Sequence, residues 1–226
     1  MLTVDQDHSQ AEGQAGFEAA ASVVTVDDPT SMAAEAIRVL RTQLVTIQNR
    51  DGLSRLAICG SSAGVGCTFV AVNLAVALSQ IGVRTLLVDA NMREPGVDRM
   101  ILPPSRSDGL QQCLSGEVEP DDAIHHDVIA NLSLLYAGGV ASNPQELLAG
   151  HSFREMVERW SREFDFTIFD TPPANQSADS RYIGGVLGAA VVVARQDHTS
   201  ISDFKTLVGE LEQSEATVVG TVLNQF

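Results

Sequence analysis

A chain of 226 residues with 44% hydrophobic residues is long enough to bury one full core, and its apolar runs fall well short of the ~18 residues a membrane span needs. A formal charge of −15 with no local Lys/Arg cluster argues against a nucleic-acid backbone or an anionic lipid surface as the main partner. Cys59, Cys67 and Cys113 show no paired spacing and read as reduced cytosolic thiols, not as a disulfide frame or a zinc site.

Residues 1–28 are rich in Asp, Glu, Gln, Ala and Gly and carry no Lys or Arg, the composition of a disordered acidic tail. They show no basic start and no apolar h-region, so no secretory signal is read. One folded domain is expected over 29–226. Asp28-Pro29-Thr30-Ser31 gives a turn and cap, and Met32 to Asn49 reads as a helix with Ile37, Leu40, Leu44 and Ile47 in one stripe. Glu35, Arg38 and Arg41, three apart, are neighbours on one face of it. They form either a solvated, salt-bridged surface or a contact with another subunit, since guanidinium forks favour bidentate pairing.

Leu53 to Cys59 reads as the first strand and Thr68 to Gln80 as the helix after it. Val83 to Asp89 follows as a strand apolar enough to be buried on both faces. Pro95 to Arg106 is loop-rich, Gly109 to Leu114 a short helix, Leu132 to Tyr136 a third strand, and Pro144 to Arg162 helical with a break at Gly150. Phe164 to Asp170 is a fourth strand, Ala178 to Leu187 a helix, Ala189 to Ala194 a strand, Ile201 to Gln213 a helix and Thr217 to Leu223 the last strand. The alternation predicts an α/β fold: a doubly wound, mostly parallel sheet with helices on both faces. Ligands of such sheets bind outside the carboxyl ends of the strands, where the Gly60–Thr68 loop, Asp89 and Asp170 all fall.

That loop, Gly60-Ser61-Ser62-Ala63-Gly64-Val65-Gly66-Cys67-Thr68, is the main functional signal. A glycine-rich turn between a strand and a helix aims backbone N–H groups at an anion, and the P-loop form of it is G-x-x-x-x-G-K-[ST]. Gly66 and Thr68 stand in register, Ser61 takes the place of the first Gly, and Cys67 takes the place of the lysine. Of 14 basic residues only Lys205 is a lysine, so no neighbouring loop position supplies one. Thr68 could hold Mg²⁺ through its hydroxyl or serve only as a helix cap. Asp170, after an apolar strand and before Thr171-Pro172-Pro173, has the form of a Walker B aspartate. A thiol on the first turn of a helix is expected to have a lowered pKa, so Cys67 is expected to alkylate faster than Cys59 or Cys113.

The residues from about 30 to 224 resemble the cytoplasmic domain of bacterial tyrosine kinases, the CpsD/CapB group of capsule and exopolysaccharide production, relatives of MinD and ParA ATPases. The resemblance rests on Glu35-Ala36-Ile37-Arg38-Val39-Leu40-Arg41-Thr42, Asp89-Ala90-Asn91-Met92-Arg93, Asp170 to Pro173, Asn143-Pro144-Gln145-Glu146-Leu147-Leu148, and Gly220 to Asn224. It implies a P-loop fold and ATP or ADP with Mg²⁺, bound by residues 60–68 and Asn224 with Thr68, Asp89 and Asp170 about the metal. It also implies self-assembly through Glu35, Arg38 and Arg41, and a membrane polysaccharide co-polymerase as partner. The departures fall on catalysis: Cys67 for lysine, Asn91 for the second aspartate, and no tyrosine cluster in the sequence, whose two tyrosines are Tyr136 and Tyr182. Loss of one preorganised charge-stabilising donor costs roughly 3–4 kcal/mol, about 10²–10³ in rate.

The leading expectation is therefore a degenerate regulatory member of that family, cytoplasmic and recruited to the inner membrane by its partner without inserting itself. The first alternative is an active tyrosine kinase with an unusual phosphate loop, in which Asp89 is the base, Asp170 holds metal and Arg93 replaces the lysine. The second is a MinD/ParA-like ATPase switch, which would need Lys205.

Overall fold

Strand and helix alternate through the computed structural model, which describes residues 16–225. β1 (Glu18–Ala19) and the single turn α1 (Val24–Asp27) lead into the long helix α2 (Met32–Asp51). The Ser31 hydroxyl accepts from the Ala34 N–H at 3.2 Å to start α2, and left-handed Gly52 (φ 75°) stops it. Then come β2 (Arg55–Gly60), α3 (Cys67–Ser79), β3 (Thr85–Asp89), the turn α4 (Val97–Met100), β4 (Ile101–Leu102), α5 (Leu110–Ser115) and α6 (Pro120–Ala123). The chain continues through β5 (His125–Ile129), β6 (Leu132–Leu135), α7 (Pro144–Ala149), α8 (His151–Glu163) and β7 (Phe166–Asp170). It ends with α9 (Asp179–Leu187), β8 (Ala189–Arg195), α10 (Ile201–Gln213) and β9 (Thr217–Asn224).

Seven strands form one sheet in the order β5-β6-β3-β7-β2-β8-β9. Every pairing in it is parallel except β5 against β6. Period-two alternation divides each central strand between two cores. Leu56 and Ile58 of β2 join Leu44, Leu74 and Phe166 on one face, while Ala57 and Cys59 join Trp160, Phe153 and Phe169 on the other. Helices cover both faces, so β3 and β7 are buried along their whole length.

Three features differ from the sequence reading. Residues 16–28 are not a tail: β1 pairs antiparallel with β4, Val23 is buried, and Thr25 donates its N–H and hydroxyl to Asn73 Oδ1 at 3.3 Å each. Residues 1–15 lie outside the described residues. β5 is an added edge strand whose two histidines and aspartate hid it; Asn131 (φ 64°) turns the hairpin, and Asp127 (φ 49°) sits where the register shifts within β5. The stretch read as loop after Pro95 contains α4 and β4.

Candidate nucleotide site

The carboxyl ends of β2, β3 and β7 meet at one point. β2 runs directly into the glycine loop, where Gly64 (φ 74°) and Gly66 (φ 96°) take left-handed conformations that side chains rarely adopt. Gly66 is the N-cap of α3 and no side chain caps that helix. The leading N–H groups of α3 are thus left for a ligand.

The loop is held from every side. Ala174 and Asn175, just past Pro173, donate their N–H groups to the carbonyls of Gly60 (2.9 Å) and Ser61 (3.1 Å). Asn224 Nδ2 donates to the Val65 carbonyl at 2.7 Å. The guanidinium of Arg195 donates to the Gly64 carbonyl at 3.1 Å, and His198 Nε2 lies 3.1 Å from the Ala63 carbonyl. Arg195 and His198 were missed in the sequence, although Arg195 ends an apolar strand at the same sheet edge, which is a readable signal.

Asp89 and Asp170 are opposite one another in register, and both are fully buried. Asp89 anchors the turn after β3: Oδ1 accepts from the Asn91 N–H at 3.1 Å, and Oδ2 from the N–H groups of Gly96 (3.0 Å) and Val97 (3.1 Å). Burial nevertheless pushes its carboxyl up to about 6. Asp170 Oδ2 accepts from the Thr68 hydroxyl at 2.6 Å, while its Oδ1 is buried with no hydrogen-bond partner. Burial, then the charge of Asp89, holds the Asp170 carboxyl well above the usual carboxylate range. Asn91 accepts the Glu94 N–H through its side-chain oxygen at 3.1 Å.

Two sequence readings are corrected here. Cys67 is not an activated thiol: burial first, then Asp170 and Cys59, push it well above its ordinary range. Its sulfur sits against Gly60, where an added Cβ would lie 2.7 Å from it, so the helix-terminal effect is outweighed. Arg93 does not reach toward the missing lysine. Its Nε bonds Asp179 Oδ2 at 2.8 Å, with that carboxylate 1% exposed. On α2, Glu35 pairs with Arg38 at 2.9 Å, and Arg41 donates to the Ala77 carbonyl at 3.2 Å.

A cavity of about 240 Å³ lies over the loop, lined by Gly64 to Thr68 together with Asn91, Glu94 and Arg99. A second, of about 530 Å³, opens beside it against Asp89, Asp98, Arg106 and Tyr136. Lys205 is exposed on α10 and lines neither.

A family model described as an AAA domain matches residues 54–196. The kinase domain of Escherichia coli tyrosine kinase ETK is 30% identical, with a TM-score of 0.85 over 90% of this chain and 79% of that one. The chain belongs to the bacterial tyrosine-kinase family, within this AAA-domain fold. Among full-length relatives, tyrosine-protein kinase wzc of Salmonella typhi is 34% identical over 204 residues, which is 90% of this chain and 28% of that protein. The chain thus spans little more than a quarter of the length of that relative. The cell division ATPase MinD of Pyrococcus furiosus, 23% identical with a TM-score of 0.66 over 76% of this chain and 72% of that one, shares the fold. No helix among the described residues is long and apolar enough to cross a membrane.

Proposed function

We propose that this chain is a member of the tyrosine-kinase family in which nucleotide binding is kept and phosphoryl transfer is impaired. It acts as a cytoplasmic regulatory partner of a membrane polysaccharide co-polymerase in exopolysaccharide or capsule production. The observation that carries this reading is the half-buried Cys67, whose sulfur packs against Gly60 where a P-loop lysine would stand, beside an intact pair of buried acids. The orphaned Asp170 Oδ1 next to the Thr68 hydroxyl is a donor set for a hard divalent cation. Thr68 and Asp170 would therefore hold Mg²⁺ with ATP or ADP, residues 60–68 would cradle the phosphates, and Asn224 would brace that cradle at Val65. Mg²⁺, when bound, neutralises charge on the transferred phosphoryl group. Cys67 offers that group no charge, and Asn91 in place of an acid weakens metal binding without changing the turn.

Calorimetry with Mg-ATP and Mg-ADP, beside an autophosphorylation assay on the same preparation, tests the reading. Micromolar-range binding with little or no phosphotyrosine is expected. Robust tyrosine phosphorylation by the wild type would overturn it.

One observation favours a second reading, an active kinase with Asp89 as base: the larger cavity adjoins Asp89 and has room for an acceptor side chain. Against it, both Asp89 oxygens already accept backbone N–H groups. An Asp89→Ala protein that binds Mg-ATP normally yet loses all phosphorylation would favour it.

A further inference from the structure

We propose that Arg99 supplies the positive charge that Cys67 withholds, meeting the terminal phosphates of a nucleotide held in the Gly60–Thr68 loop. This rests on the reading above that the loop binds a nucleotide. Arg99 is the one basic residue among those lining the cavity over the loop, across from Gly66, Cys67 and Thr68. It is exposed, and its guanidinium has no hydrogen bond or ion pair among the described residues. The other charged residue lining this cavity is the acid Glu94, while Arg195 is engaged at the Gly64 carbonyl and Arg106 lines the neighbouring cavity with Asp89 and Asp98. A polyphosphate over Cys67 would find Glu94 on this wall, and Arg99 is the cation that lines the same cavity.

The turn that carries Arg99 is fixed against the loop. Asp89 Oδ2 clamps its start through the N–H groups of Gly96 and Val97. Val97 and Met100 are buried, which leaves Asp98 and Arg99 as the outward residues of the turn. Gly96 lies so close to α3 that an added Cβ would stand 3.1 Å from Thr68 Oγ1. Asp89, whose carboxyl places this turn, thus positions a cation at the phosphate loop besides facing Asp170. A guanidinium offers phosphate a bidentate fork and keeps its charge at any working pH, so it can do from the far wall what an ammonium does from the loop.

Calorimetric titration of wild type, Arg99→Ala, Arg99→Lys and Cys67→Lys, with the double variant Cys67→Lys/Arg99→Ala, tests this using Mg-ATP, Mg-ADP and AMP. Arg99→Ala should weaken Mg-ATP at least about tenfold, the scale of one charge-assisted contact, and AMP by much less. Arg99→Lys should recover most of the loss, and in the Cys67→Lys background removing Arg99 should change Mg-ATP affinity less than about threefold. Wild-type binding that Arg99→Ala leaves unchanged, an equal loss for AMP, or a full loss in the Cys67→Lys background would each overturn the role of Arg99 alone. No binding by the wild type would overturn both this role and the nucleotide reading. The Arg99 side chain is exposed and makes no bond among the described residues, so the Arg99 single variants should fold.

Discussion

Asp89 and Asp170 face each other across adjacent parallel strands, both buried, with the Thr68 hydroxyl bonded to Asp170. Two carboxylates so placed resist ionising together. An unfolded aspartate ionises near 4, whereas Asp89 holds its proton to about 6 and Asp170 beyond the usual range. Over that window the folded state binds more protons than the unfolded one. The contribution of the pair is neutral at low pH and becomes increasingly destabilising as pH rises. Mg²⁺ favours the ionised pair, so its stabilisation should grow with pH.

The test is a comparison with Asp170→Asn, which cannot ionise. In chelator, the wild type should lose melting temperature relative to this variant as pH rises from 4 to 8, at about 2–4 °C per kcal/mol for a chain of this size. Added Mg²⁺ should raise the wild type at pH 8, much less at pH 5, and the variant at neither. A constant difference between the two proteins across this range would show that Asp170 is ionised in the fold.

Arg93 and Asp179 make a separate prediction because Asp179 is 1% exposed and Arg93 one-third exposed. Arg93→Ala strands a buried carboxylate and should cost about 1–3 kcal/mol in urea unfolding. Arg93→Ala/Asp179→Asn should recover part of that. Nucleotide affinity should change less than about threefold in either variant. A large affinity loss with unchanged stability would return Arg93 to the phosphate site.

All three thiols are expected to be slow toward iodoacetamide at neutral pH. Burial pushes Cys59 up to about 12 and Cys113 to about 11, and Cys67 is well above its ordinary value. Reactivity follows the thiolate, not the thiol. Intact-mass analysis should show the folded chain essentially unlabelled under conditions that label all three in denaturant. Rapid labelling confined to Cys67 would mean that the N-terminus of α3 outweighs burial and Asp170.

How much of this was legible before the fold was known varies by residue. The bounds of α10 are those read from the sequence, because Ser200 caps it by accepting from Asp203 N–H at 3.0 Å and Leu207 and Leu211 make its buried side. The loop and its two aspartates were legible because each ends an apolar strand, and parallel strands bring their ends to one edge. Residues 16–28 were not, since their order comes from Asn73 and β4, far along the chain. Arg93 and Arg99 are six apart in one short segment. Nothing local says that the first turns to Asp179 and the second to the cavity. The acid–base state of Cys67 likewise depends on Asp170, more than a hundred residues away.

The face of α2 gives the last prediction. Glu35 is 67% exposed and its partner Arg38 31%, so their pair at 2.9 Å is a surface contact of small worth. Arg41 instead ties α2 to α3 through the Ala77 carbonyl, an internal bond of about 1 kcal/mol. If this face carries self-assembly, Glu35→Arg should shift sedimentation toward the monomer while changing stability by less than about 0.5 kcal/mol. Arg41→Ala should lower stability at any concentration, and lower assembly as well. Sedimentation velocity over a range of concentrations, with urea unfolding on the same samples, separates the two effects. Unchanged sedimentation of Glu35→Arg would reject assembly through this face. An Arg41→Ala variant that loses assembly at unchanged stability would show that Arg41 acts between subunits and that its bond to Ala77 contributes nothing.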